Sequence, residues 1–68
     1  METVTLNVGG MSCQGCVGSV ERVLKAQDGV ADVQVSLERA SATVVFDPLR
    51  VSLPALQAAI VGAGFEAT

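Results

Sequence analysis

The sequence predicts an α+β domain of order β-α-β-β-α-β, with four antiparallel strands in one sheet and two helices on one face. Three observations carry this. Thr3–Val8 alternates apolar with polar residues, the period of a half-buried strand, and Ala42–Phe46 reads as a further strand pairing back as a hairpin. Val17, Val20, Val23 and Leu24, and later Leu53, Leu56, Ile60 and Ala63, recur at helical spacing. Finally, the two strand–helix–strand units each close right-handed, and the Thr, Gln, Ser and Asp positions leave one sheet face wet.

Taken in order, Val4, Leu6 and Val8 share one face of the first strand, and Thr3, Thr5 and Asn7 the other. Gly9-Gly10 breaks the pattern, as a tight loop requires. The first helix runs from Gln14 or Gly15 to Ala26 or Gln27, with Ser12 as its capping candidate. Glu21, Arg22 and Lys25 fall on its wet side. Gly18 sits inside it at a cost of about 1 kcal/mol against Ala, and beyond a close contact the sequence offers no reason for it. Asp28-Gly29 ends the helix and Val30 opens a second strand, with Val33, Val35 and Leu37 inward and Asp32, Gln34 and Ser36 outward. Glu38-Arg39-Ala40-Ser41 is a turn into the third strand, whose buried face is Ala42, Val44 and Phe46. Asp47-Pro48 stops that strand, because proline cannot continue a ladder. Ser52 caps the second helix, with Pro54 in its first turn. Gly62 and Gly64 end it, leaving Phe65-Glu66-Ala67-Thr68 for a short last strand.

With 68 residues the chain is expected to form a single domain, 1–68. Half of it is apolar, yet only two residues are aromatic, so the core is aliphatic. A net charge of −3 argues against nucleic acid or an anionic membrane surface as partner. No basic start followed by an apolar run marks a signal peptide. No apolar segment is long enough for membrane insertion across a bilayer. The expected location is cytoplasmic, where the two cysteines stay reduced.

Those cysteines, Cys13 and Cys16, hold the reactive chemistry of the chain. They lie on the strand-to-helix loop and the first helical turn, where unpaired N–H groups and the helix dipole favour thiolate over thiol. Cys-x-x-Cys fits several tasks. Disulfide exchange uses such a turn, but the chain is short for that fold and offers no substrate groove. Structural zinc wants four N or S ligands, and the chain supplies two cysteines and no histidine. A soft ion such as Cu(I), Ag(I) or Hg(II) suits two thiolates. Two buried hydrophobes without a task fit poorly, since a Gly-flanked loop is an exposed position.

Gly10-Met11-Ser12-Cys13-Gln14-Gly15-Cys16, followed by Val17-Gly18-Ser19-Val20, resembles the heavy-metal-associated domain of bacterial copper chaperone type. That domain is the unit of copper chaperones and of the amino-terminal domains of metal-transporting P-type ATPases. The resemblance continues through Gly29-Val30, Val33–Leu37, Ala42-Thr43-Val44, Asp47-Pro48, Leu56–Ile60 and Ala63–Ala67. It implies a ferredoxin-like sandwich and metal binding by Cys13 and Cys16. It also implies that one Cu(I) per monomer is handed to a partner domain of the same kind, and no enzymatic activity. Zn(II), Ag(I) or Hg(II) are alternative cargoes. The partner implied is the metal-binding domain of a copper-transporting P-type ATPase, with a metal-bridged homodimer as a second option.

Three neighbours bear on the site. Met11 offers a soft sulfur that packs under the loop or serves as a third ligand. Ser12 stands where zinc-exporting members often carry an acidic residue, and its neutrality favours Cu(I). Phe65 stands where bacterial-type members have Tyr or Phe and eukaryotic chaperones have Lys, either as a core aromatic or as a shield for the thiolates. The sequence departs from the family at Val61 and Gly62, where many members are acidic, and in lacking a strongly basic face. Docking then rests on few charges, such as Arg22 and Lys25, plus apolar groups around the loop. An RNA-recognition domain shares the fold, but needs exposed aromatics and a basic surface that this chain lacks. The rival readings are one domain of a transport ATPase, a mercury- or zinc-handling relative, and a thiol–disulfide oxidoreductase. A start at Met1 favours the stand-alone form, and the missing export signal counts against a periplasmic mercury carrier.

Overall fold

Alternating side chains and two amphipathic stripes resolve into one sheet and two helices. The computed structural model describes residues 1–67. Its elements are β1 (Glu2–Gly9), α1 (Gln14–Lys25), β2 (Val30–Ser36), β3 (Ser41–Phe46), α2 (Leu53–Gly62) and β4 (Glu66–Ala67). The expected last strand is shorter than its four residues, since Phe65 precedes it and Thr68 lies outside the described residues.

The strand order is β2-β3-β1-β4, and every neighbouring pair is antiparallel. Thr5 faces Thr43 and Leu6 faces Ala42, so the apolar positions of β1 and β3 share a face. Leu6, Val8, Val33, Ala42, Val44 and Phe46 bury that face against Val20 and Leu24 of α1 and Leu56 and Ile60 of α2. On the other face the Thr5 and Thr43 hydroxyls meet at 3.3 Å in solvent. The helices also pack on each other, as two elements sharing one side of a sheet must.

Val35 and Leu37 reach only a half-buried environment. β2 is an edge strand with a bulge between Val30 and Asp32, so its inward side chains have neighbours on one side only. Leu37 falls in the turn beyond the strand. Leu53, placed on the apolar stripe of α2, is 36% exposed at the first residue of the helix. Val51 enters the core instead, from a loop whose two apolar residues, Leu49 and Val51, carry no periodic signal, and Leu49 stays exposed. Gly18 has no close contact, because a Cβ there would meet nothing within 4 Å. Gly29 is needed twice over: its φ is +101°, and a Cβ would come within 2.7 Å of the Arg50 Cβ. Among the described residues no helix is long and apolar enough to cross a membrane.

Candidate metal centre

β1 delivers the chain to the site and α1 orients it there. After Gly9, Gly10 adopts φ +95°, a left-handed conformation that reverses direction at little cost only for glycine. Met11 then turns inward and packs against the core, anchoring the loop from below. Phe65 supports it from the side, with its ring 3.6 Å from where a Gly10 Cβ would stand. Met11 and Phe65 therefore both serve as footing for the loop.

Cys13 is the N-cap of α1, in an extended conformation of φ −158° and ψ 171°. Its carbonyl accepts the first helical bonds, from the N–H of Cys16 at 3.0 Å and of Val17 at 3.3 Å. Ser12, expected to cap, does not: neither it nor Cys13 gives the helix a side-chain cap. The cap position has slipped by one residue. The Ser12 hydroxyl lies 3.9 Å from the Cys16 sulfur instead. Ser52 does occupy the N-cap of α2, though its hydroxyl makes no cap bond.

The two sulfurs lie 3.5 Å apart, Cys13 exposed and Cys16 half-buried, and both are free thiols. The first turn of α1 holds no acidic residue, so nothing there competes for its exposed N–H groups. Backbone hydrogen bonding from Ser12 holds the Cys16 thiol below its ordinary range, reinforced by the Cys13 thiol and the Ser12 hydroxyl and opposed by slight desolvation. Among the described residues no group of three His, Cys, Asp or Glu side chains converges on one point. The donor set is two sulfurs.

Two sulfurs suit a soft ion of low coordination number. A tetrahedral zinc centre would need two further donors.

The heavy-metal-associated domain family matches residues 5–66. Copper-transporting ATPase 1 of Mus musculus is 39% identical over 66 residues, covering 97% of this chain and 4% of the ATPase. The chain thus spans a small fraction of that relative's length. The copper chaperone CopZ of Bacillus subtilis is 44% identical over 66 residues, covering 97% of this chain and 96% of the chaperone. Among solved structures, a copper-binding domain from HMA7, a P-type ATPase, is 40% identical with a TM-score of 0.99, covering 100% of this chain and 92% of that one. With strand order, cysteine loop and family match in agreement, the chain belongs to the heavy-metal-associated domain family.

Proposed function

We propose that this chain is a copper-carrying module, not an enzyme. Cys13 and Cys16 hold one Cu(I) as a near-linear bis-thiolate and surrender it to the metal-binding domain of a copper-transporting P-type ATPase. One observation carries the reading: two thiols 3.5 Å apart at a helix N-terminus, one of them exposed. The relatives named as copper chaperone and copper-transporting ATPase support it.

Release proceeds by ligand exchange. A thiolate of the partner attacks the two-coordinate ion, forming one Cu–S bond and a three-coordinate bridge. One of the original Cu–S bonds then breaks, and a second exchange completes the transfer. Each incoming thiol loses a proton and each departing thiolate takes one up, so charge and protons balance and copper stays Cu(I). A closed four-sulfur cage would block that first attack; an uncovered pair admits it. Ag(I) and Hg(II) share the two-coordinate preference, whereas Zn(II) would be held weakly by two donors.

The same module as one domain of a transport ATPase is the second reading, favoured by the 39% identity to a stretch of copper-transporting ATPase 1. The experiment for the copper reading is an anaerobic titration of reduced protein with Cu(I) and Zn(II) against competing chelators. One tightly held Cu(I) per chain with weak Zn(II) is expected. Zinc bound as tightly as copper would contradict it.

A further inference from the structure

At the end of β1 opposite the cysteine loop, a groove and an apolar knob lie side by side. The groove, of about 410 Å³, is lined by Val4 and Phe46 from the sheet and by Pro48 and Leu53 beyond it, with Glu2 among them. Next to it the turn after β3 holds up Leu49, which is 94% exposed. Single exposed apolar residues need no explanation, but one set beside an apolar groove marks an interaction surface. The turn is also rigid. The Leu49 N–H bonds the Asp47 carboxylate at 3.0 Å, and the Arg50 and Val51 N–H groups bond the Asp47 carbonyl. A tip fixed in this way has little conformational entropy left to lose on contact. The charges are opposed as well: Arg50 follows the knob, and Glu2 belongs to the groove. Arg50 is held to Asp28 only by a solvent-exposed pair at 3.5 Å, which exchanges partners at little cost.

A two-fold contact between identical surfaces requires each copy to receive what it inserts. A knob and a hole on one surface, the first with a cation and the second with an anion, meet that requirement. We propose that a second copy of this chain occupies the groove. Leu49 of each copy enters the groove of the other, and Arg50 of each meets Glu2 of the other. Glu2 and Gly9 stand at opposite ends of β1, about 24 Å apart at about 3.4 Å per residue. Both cysteine loops therefore stay open in the pair, and pairing neither needs copper nor blocks its transfer. Two copies of net charge −3 also repel each other, so the pair is weak and assembles at high concentration.

The test is sedimentation equilibrium of reduced, metal-free protein from about 10 µM to about 1 mM. Wild type is compared with Leu49→Glu, Glu2→Arg, Arg50→Glu and the double reversal Glu2→Arg/Arg50→Glu. Wild type is expected to gain mass toward two chains across that range. Leu49→Glu has almost no contact within its own chain to lose, so it should melt like wild type and associate at least about tenfold more weakly. Either single charge reversal should weaken pairing several-fold, and the double reversal should restore it. Amide resonances that move with concentration should fall in residues 2–4 and 48–53, not in 11–16. A wild type that stays a single chain at about 1 mM overturns the proposal. Association that survives Leu49→Glu, or shifts centred on the cysteine loop, places the contact elsewhere and overturns it too. Groove resonances moved by a different protein but not by concentration would give the groove to that protein and likewise overturn it. A double reversal no better than the single ones overturns the Arg50–Glu2 contact.

Discussion

The chain builds a strand, a loop and a helix twice, and the two loops could hardly differ more. Between β3 and α2 the backbone is tied down at nearly every step. Asp47 donates its N–H to the Gly29 carbonyl at 2.8 Å, and its own carbonyl accepts from Arg50 and Val51. Its side chain accepts from the Leu49 N–H at 3.0 Å, and Val51 plugs the core. Between β1 and α1, Gly10, Met11 and Ser12 exchange no backbone–backbone bond among the described residues beyond the strand ladder. That loop is positioned by Met11 below and Phe65 beside it. A loop held by packing is freer to move than one held by backbone hydrogen bonds. One loop is tied into the fold and the other presents the two thiols.

That contrast breaks most sharply at the cysteines. Cys13→Ser or Cys16→Ser is expected to remove tight Cu(I) binding, by orders of magnitude in a competition assay, while changing apo stability by less than about 1 kcal/mol. Leu56→Ala, in the second unit, reverses the pattern: about 2–5 kcal/mol of stability is lost to a cavity, and the folded fraction binds copper normally. Strong residual binding in either cysteine variant would contradict the division of labour.

The glycines sharpen it next. Gly29→Ala meets both a positive φ and a 2.7 Å clash with Arg50 beside the tied loop, so it should lower the melting temperature more than any other Gly→Ala change. Gly10→Ala meets only the φ penalty, about 1–2 kcal/mol. Its second effect, a lowered Cu(I) affinity from a redirected loop, should be absent in Gly29→Ala.

The smallest effect concerns protons. Cys16 is held below its ordinary thiol range in the folded protein. A group with a depressed folded value adds stability that is fully present above the unfolded value and lost as pH falls through the folded one. Apo wild type should therefore gain stability over Cys16→Ser as pH rises from the depressed value toward the ordinary thiol range. A difference independent of pH across that interval would remove the Ser12 backbone contact from the account.

Much of this is legible in the sequence. The alternation of β1 and the stripe of α1 mark the buried faces, because period and burial are one physical fact. The cysteines could be placed at a helix N-terminus for the same reason. Side-chain capping was not legible. A serine near a helix start announces a donor or acceptor but not its rotamer, and Ser12 turned to the Cys16 thiol instead. Val35 and Leu37 carried a clear apolar signal, yet burial depends on how many neighbours a strand has, which the local sequence does not encode. Gly18 shows the converse: its cost was readable, but its lack of any internal contact needed the fold.

X-ray absorption at the copper edge, on Cu(I)-loaded protein kept monomeric, tests the central claim most directly. It counts the atoms bound to the ion. Two sulfur neighbours in near-linear array, with neither a methionine sulfur nor a serine oxygen beside them, is the predicted result. A third or fourth donor from within the same chain would contradict it.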